Sequence, residues 1–112
     1  MDKLHTIKNN YEFEDIIKNN KAYKYKDYII YLVDTNSNYK FGISVGKKIG
    51  NAVTRNKYKR RIKSIIDKNK YKENFNCIII IGKNILNRTY IEMEENLICA
   101  FKKLDIIKEI KK

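Results

Sequence analysis

The first apolar positions along the chain recur at the spacing of a helix. Over residues 11–20 they fall three and four residues apart, so that they share one side of a short helix. The residues on this side are Phe13, Ile16 and Ile17. Either Asn9 or Asn10 is suited to cap its N-terminus, because an Asn side chain can accept hydrogen bonds from the unpaired backbone amides there.

Two β-prone segments follow. Residues 28–33 form a continuous run typical of a strand buried on both faces, and the alternation of Tyr23 and Tyr25 could extend that strand backwards. After a polar turn at 34–38, residues 39–46 alternate strictly, which predicts a second strand paired with the first in a hairpin. One face of the second strand is apolar. The other carries mostly small residues, Gly42, Ser44 and Gly46, so a helix or a ligand could approach its backbone closely.

The next segment predicts a long helix over residues 51–68, with Asn51 as its cap. An apolar stripe is formed by Val53, Tyr58, Ile62, Ile65 and Ile66. A polar face consists of two adjacent rows, Arg55, Lys59 and Lys63 in one and Asn56 and Arg60 in the other. This helix therefore combines a core-facing side with a cationic side.

The remaining chain predicts a central strand over 75–81, a connection over 83–88 and a last helix. Thr89 and Glu92 have the spacing of a capping box. The side chains expected to be buried are Ile91, Leu97, Ile98, Phe101 and Leu104, and the cations suited to the helix C-terminus are Lys108, Lys111 and Lys112. The pattern shows no repeat and no linker, so we expect residues 1–112 to form one domain of the mixed α/β class.

The excess positive charge is concentrated in one third of the chain. The net charge is +12, from 25 Lys and Arg and 13 Asp and Glu. Residues 1–39 carry six basic and six acidic side chains, residues 40–72 twelve and one, and residues 73–112 seven and six. A solvated lysine-rich helix is the plain explanation of such a run, but the near-absence of acids favours a surface that binds a polyanion.

Candidate catalytic groups are few. His5 lies near the N-terminus, the serines have no evident His partner, and the glycines at 42, 46 and 50 lack the spacing of a phosphate-binding loop. Cys77 and Cys99 lack zinc spacing and suit buried thiols in a reducing cytoplasm. No apolar run approaches the ~20 residues of a membrane span, and no secretory signal is evident. We therefore expect a cytoplasmic binding protein, and its aromatic content favours single-stranded or structured RNA.

Residues 41–63 read FGISVGKKIGNAVTRNKYKRRIK, which closely resembles the signature of the bacterial ribonuclease P protein component. Gly46 stands where that signature has Ser, and Lys83 stands where Arg is frequent in the family. The resemblance implies a single-domain αβββαβα sandwich with a small mixed sheet, similar to ribosomal protein S5 domain 2, with a left-handed crossover between its parallel strands.

The same resemblance implies a function. A protein of this family joins the catalytic RNA of ribonuclease P and binds the 5′ leader of precursor tRNA, while the RNA holds Mg²⁺ and performs the hydrolysis. It implies no catalytic residue and no metal ligand in the protein. The residues implied to bind RNA are Lys47, Lys48, Asn51, Arg55, Asn56, Lys59, Arg60 and Lys63. Those implied to line the leader cleft are Phe13, Ile17, Ile29, Tyr31 and Ser44.

Two other functions are compatible with a cationic α/β domain. One is a non-enzymatic protein that binds structured RNA, for example in association with the ribosome. The other is a DNA-binding domain that places residues 51–68 in a major groove, which is weaker because no short-turn helix pair precedes that helix. We therefore expect no DNA partner and no membrane partner.

Overall fold

A computed structural model of the chain describes residues 1–108, which form a sheet with helices on both faces. The elements follow the order αβββαβα, as the resemblance implies. They are α1 (Asn10–Asn19), β1 (Tyr23–Tyr25), β2 (Tyr28–Asp34), β3 (Lys40–Ser44), α2 (Ala52–Asp67), β4 (Phe75–Ile81) and α3 (Tyr90–Lys103). Short 3₁₀ turns are Lys3–His5, Lys47–Ile49 and Lys83–Asn87. The bounds of the first two predicted helices, the start of the last one and the strand over 75–81 are confirmed to within one or two residues.

The strand order in the described sheet is β1-β2-β4-β3. β1 pairs antiparallel with β2, β2 antiparallel with β4, and β3 parallel with β4. The prediction that the second strand forms a hairpin with the first was therefore wrong. Almost every residue of β4 is buried, so it lies in the middle of the sheet and separates β2 from β3. The crossover through α2 brings β3 and β4 together in parallel.

The hairpin in this structure is formed by β1 and β2. Tyr23 and Tyr25 belong to a separate strand, not to an extension of β2, because the chain reverses at Lys26 and Asp27. Lys26 has a φ of 53°, the left-handed conformation that two-residue hairpin turns require. β2 is also less buried than its composition indicates, since Ile29 and Tyr31 on one face are only half-buried.

The larger core lies between the sheet and the helices α2 and α3. Phe41 of β3 packs against the rings of Tyr71, Phe75 and Phe101, with centroids 4.8 to 5.6 Å apart. Helix residues in this core are Tyr58, Ile62, Ile65 and Ile66 of α2 and Met93, Leu97, Ala100 and Phe101 of α3. Burial raises the pKa of the Tyr71 hydroxyl, which donates a hydrogen bond to the carbonyl of Ile66 at 2.8 Å.

Two residues predicted to be buried are exposed. Val53 is 76% exposed and Ile91 is 66% exposed. Val53 lies five residues before the buried Tyr58, which places their side chains about 140° apart round the helix axis. Ile91 lies two residues before the buried Met93, about 200° away. Of the other positions expected to be buried in α3, Ile98 and Leu104 are half-buried at the edge of the core.

The helix ends agree largely with their predicted caps. Asn9, not Asn10, accepts a hydrogen bond from the amide of Tyr11, and the capping box of Thr89 and Glu92 is complete. The prediction for the end of α3 was wrong at Lys108. The helix ends at Lys103, and the Lys108 amide instead donates to the carbonyl of Lys70 at 2.8 Å. Lys111 and Lys112 lie outside the described residues.

Both cysteines are free thiols. Cys77 is buried in β4, as predicted, and burial raises the pKa of its thiol. Cys99 is only half-buried and accepts a hydrogen bond from the Tyr25 hydroxyl at 3.1 Å. Of the helices within residues 1–108, none has the length and apolar character needed to cross a membrane.

Candidate nucleic-acid interface

The face of the sheet that carries α1 is only partly covered. Because side chains alternate along a strand, the residues on this face are those between the positions that fill the larger core. Ile16 of α1 packs on Ile78, which is fully buried beneath the helix. Around this contact Phe13, Ile17, Tyr31, Val33 and Ile80 are partly buried. The five residues implied to line a leader cleft lie on α1 or on this face of the sheet.

Gly42 explains how closely α1 approaches the sheet. A Cβ atom built on Gly42 would lie 2.5 Å from Cε2 of Phe13, which is closer than any real contact of that kind. The Phe13 ring therefore occupies the space that the glycine leaves. The predicted close approach to this strand is confirmed at Gly42, and the element that approaches is α1. The helix is held further by Asn76, whose amide donates to Glu12 at 3.1 Å.

A row of side chains beside α1 remains half-exposed. The register places Ile29 opposite Ile80, and Ile80 opposite Ser44, so the three residues form a line across β2, β4 and β3. Each of the three is half-buried. The neighbouring line, through Tyr31, Ile78 and Gly42, passes beneath α1. The result is an open track along the side of the helix, apolar at Ile29 and Ile80 and polar at Ser44, which we call the sheet row.

A cavity of about 480 Å³ lies at the β3 end of the sheet row. Phe13 and Ser44, implied to line the cleft, share this cavity with Lys59 and Lys63, implied to bind RNA. The sequence places these residues on three different elements, and the fold brings them to one site. α1 lies on one side of the sheet edge and α2 on the other.

The N-terminal segment also contributes to this cavity, which sequence reasoning missed. The amide of Ile7 donates to the carbonyl of Phe41 at 2.9 Å, so this segment lies along the edge of β3. Lys8, Asn10 and Glu14 then join the cavity wall. In the sequence, the β-prone residues Thr6 and Ile7 point to this contact with β3, but two residues are too few to predict a strand.

The polar face of α2 presents cations without acidic partners. Lys59 and Arg60 are exposed, as is Asn56 in the same row as Arg60, while Arg55 and Lys63 are half-buried. The Nε atom of Arg55 is buried and has no hydrogen-bond partner within the described residues. None of the predicted RNA-binding cations forms an ion pair within residues 1–108, where the ion pairs involve other groups. Their charges are therefore not neutralised by this part of the protein.

The segment that precedes α2 continues this cationic surface. Lys47 and Lys48 are exposed in the turn between β3 and α2. Asn51 has a structural contact, because its Oδ1 accepts a hydrogen bond from the amide of Thr54 at 3.0 Å and so caps α2. We define the docking face as the eight residues Lys47, Lys48, Asn51, Arg55, Asn56, Lys59, Arg60 and Lys63.

The sequence and the fold are both similar to those of known proteins. A family model described as Ribonuclease P matches residues 1–105. A ribonuclease P protein component of Mycoplasma mycoides is 42% identical over 115 residues, covering 99% of this chain and 100% of the relative. A Bacillus cereus relative of the same name is 37% identical over 116 residues, covering 100% of both.

Solved structures agree with this match. The RNase P protein of Staphylococcus aureus superposes with a TM-score of 0.83 at 27% identity, covering 95% of this chain and 100% of that one. A mutant of that protein, described as defective in mRNA degradation activity, has the same TM-score at 28% identity and covers 93% and 91%. The RNase P protein of Thermotoga maritima, at 24% identity, shares the fold with a TM-score of 0.79 over 88% and 96% of the two chains.

Proposed function

The chain belongs to the ribonuclease P protein family and is thus a protein subunit of an RNA-processing enzyme, and on this premise we propose how it acts on RNA. The chain binds the catalytic RNA of ribonuclease P through the docking face and binds the 5′ leader of precursor tRNA along the sheet row. By holding both, it assists removal of the leader and formation of the mature 5′ end. The cavity shared by Phe13, Ser44, Lys59 and Lys63 is the observation that carries this proposal.

The docking face suits a structured RNA. Phosphates are neutralised by its unpaired cations, and the release of counterions from the RNA drives this contact. Arg55 and Arg60 can donate paired hydrogen bonds to a phosphate, which a lysine cannot do in the same geometry. Arg60 is exposed and Arg55 is half-buried.

The sheet row suits an unpaired strand. Half-exposed apolar side chains and the nearby rings of Phe13 and Tyr31 can contact the faces of bases that are not engaged in a helix. Such contacts tolerate any base, as a protein that acts on many precursors requires. Ser44, at the α2 end of the row, offers a hydroxyl for a hydrogen bond near the junction with the docking face.

We assign the hydrolysis and the Mg²⁺ ions to the RNA subunit. Among residues 1–108, no group of three or more His, Cys, Asp and Glu side chains is placed to hold a metal ion. The chain's own contribution is to position the leader and to reduce the repulsion between two polyanions. The proposed site of action is the cytoplasm, and DNA is not a proposed partner.

Reconstitution tests this function. Adding the chain to a bacterial ribonuclease P RNA at low Mg²⁺ should accelerate cleavage of a precursor tRNA that carries a leader. The matched control is a transcript without a leader, whose affinity should change little. A chain that binds the RNA tightly but does not accelerate cleavage would contradict the proposal and support a non-enzymatic, ribosome-associated RNA-binding role.

A further inference from the structure

A polar pair joins α1 to the sheet within a contact that is otherwise apolar. Glu12 lies one helical turn before Ile16, so both side chains share the side of α1 that meets the sheet. On β4, Asn76 lies two residues before Ile78 and therefore on the same face. The Asn76 amide donates a hydrogen bond to Oε1 of Glu12 at 3.1 Å, and Ile16 clusters with Ile78. We call the polar contact the Glu12–Asn76 bridge.

The Glu12–Asn76 bridge fixes where α1 lies along β4. Residues one helical turn apart are separated by about 6 Å along the helix axis, and alternate strand residues by about 6.6 Å, so the two spacings match. Burial of apolar side chains is not directional, so it would permit α1 to shift along the strand, whereas a hydrogen bond would not. The other residues of β4 on this face are Ile78 and Ile80, so Asn76 defines a single register.

The apolar contacts that hold α1 are few. Ile16 is the one buried residue among the ten of this helix, and Phe13 and Ile17 are half-buried. A helix of this length is marginal by itself, so its position depends on its contacts with the sheet. Asn76 is 8% exposed, and its Oδ1 atom has no hydrogen-bond partner within the described residues. Because an unpaired buried amide is costly, a shift of α1 that left Asn76 covered but unbonded is unfavourable.

The position of α1 in turn determines the shape of the cavity at α2. The Phe13 ring fills the space above Gly42 and lines that cavity, to which α2 also contributes. A shift of α1 by one turn would move the ring about 5.4 Å from this position. We propose that Glu12 and Asn76 are positioning residues, which hold α1 in the register that binds the leader. This inference rests on the proposed function, and it adds a pair of residues that act through α1 and not through contact with RNA.

The effect of the bridge is on the population of molecules that can bind the leader. If α1 occupies other registers, the affinity for the leader falls in proportion to the fraction of molecules in the competent register. The docking face lies on α2 and the segment before it, so affinity for the catalytic RNA does not depend on this fraction. Loss of the bridge should therefore weaken leader binding alone. Electrostatics predicts the opposite change, because removal of an acidic group reduces its repulsion of RNA.

Glu12→Ala distinguishes the bridge from simple electrostatics. Affinity of the reconstituted holoenzyme for a precursor tRNA with a leader should fall about two- to tenfold, while affinity for a transcript without a leader and for the catalytic RNA is retained. Glu12→Gln removes the same charge but keeps an acceptor for the Asn76 amide, so it should retain the leader affinity of the unmodified chain. The matched control is Asp15→Ala on the exposed side of α1, which should not weaken leader binding.

A double variant separates the position of α1 from the stability of the fold. Glu12→Met together with Asn76→Leu replaces both polar groups by apolar groups of similar shape, which should keep the free energy of unfolding close to that of the unmodified chain. It offers no directional contact, so its leader affinity should be reduced as in Glu12→Ala. Urea unfolding and circular dichroism measure the stability and helix content of each variant.

Two results would overturn the inference. One is full leader affinity in the folded double variant, and the other is equal leader affinity in Glu12→Ala and Glu12→Gln. If the double variant does not fold, the comparison between these two single variants decides. Failure of the unmodified chain to bind a precursor with a leader more tightly than one without, or to stimulate its cleavage, would instead refute the proposed function.

Discussion

Gly42 is the residue on which the position of α1 depends. Its missing side chain leaves the space that the ring of Phe13 fills, and the same contact forms one wall of the cavity at α2. Gly46, four residues further along the chain, has no atom within 4 Å of a built Cβ. Two glycines of one motif therefore have different physical roles.

Gly42→Ala should destabilise the protein by about 1–3 kcal/mol, because the new methyl group would displace the Phe13 ring or shift α1. Chemical denaturation at neutral pH measures the change in the free energy of unfolding. The matched control is Gly46→Ser, expected to change that free energy by less than about 0.5 kcal/mol. Equal losses in the two variants would show that the contact with Phe13 is not the cause.

For the helices, burial follows position round the axis more than hydrophobicity alone. Met93 of α3 is fully buried and Ile91 is 66% exposed, although both are apolar and two residues apart. Met93→Ala should lower the free energy of unfolding by about 2–5 kcal/mol through lost contacts and an internal cavity. Ile91→Ala should change it by less than about 0.5 kcal/mol. Thermal and urea unfolding of both variants would check this, and a larger loss for Ile91 would contradict the helix orientation.

The start of α3 gives a pH-dependent prediction. Hydrogen bonds from the Thr89 amide and hydroxyl groups to Glu92 lower the pKa of that carboxyl group. A carboxyl group whose pKa is lower in the folded than in the unfolded state stabilises the fold at pH values above its ordinary pKa. This stabilisation is lost as the pH falls through the lowered pKa.

Glu92→Gln retains hydrogen-bonding capacity at the cap but removes the titration. The melting temperature of this variant should therefore decline less steeply than that of the unmodified chain between about pH 5 and pH 3. Glu95→Gln, an exposed change on the same helix, is the control and should follow the unmodified chain. A parallel decline in all three proteins would rule out the capping box as the source.

At the scale of the whole molecule, the positive charge is positioned by the fold as well as by the sequence. Arg55 and Arg60 lie on the docking face, whereas Lys102 and Lys103 lie at the end of α3. Replacing both arginines by Gln should weaken binding to the catalytic RNA and reduce the salt slope of log affinity by about 2.

Replacing Lys102 and Lys103 by Gln removes the same formal charge and should leave the slope nearly unchanged, because these lysines lie outside the docking face. Filter binding across a salt series measures both variants. Similar slopes in the two double variants would show that net charge, and not the docking face, governs the affinity.

Much of the architecture was predictable because it depends on neighbouring residues. Helix spacing, the Asn51 cap and the capping box at Thr89 involve contacts within a few positions, and the structure confirms them. The strand over 75–81 was recognisable because its side chains are apolar on both faces. Spacing placed five docking-face residues on adjacent rows of one helix, and the family resemblance added Lys47, Lys48 and Asn51 and implied the RNA-binding role of all eight.

The remaining features depend on residues far apart in the chain. Nothing in residues 28–46 indicates that β4 will lie between β2 and β3, because the pairing is decided by which strand buries most apolar surface on both faces. Local spacing and composition were enough to identify most of the helices and strands, the cationic helix and the family motif. The meeting of Ser44 with Lys59 at one end of the sheet row, and of Ile29 with Lys24 of β1 at the other, follows only from the folded chain, because strand order and register depend on long-range packing.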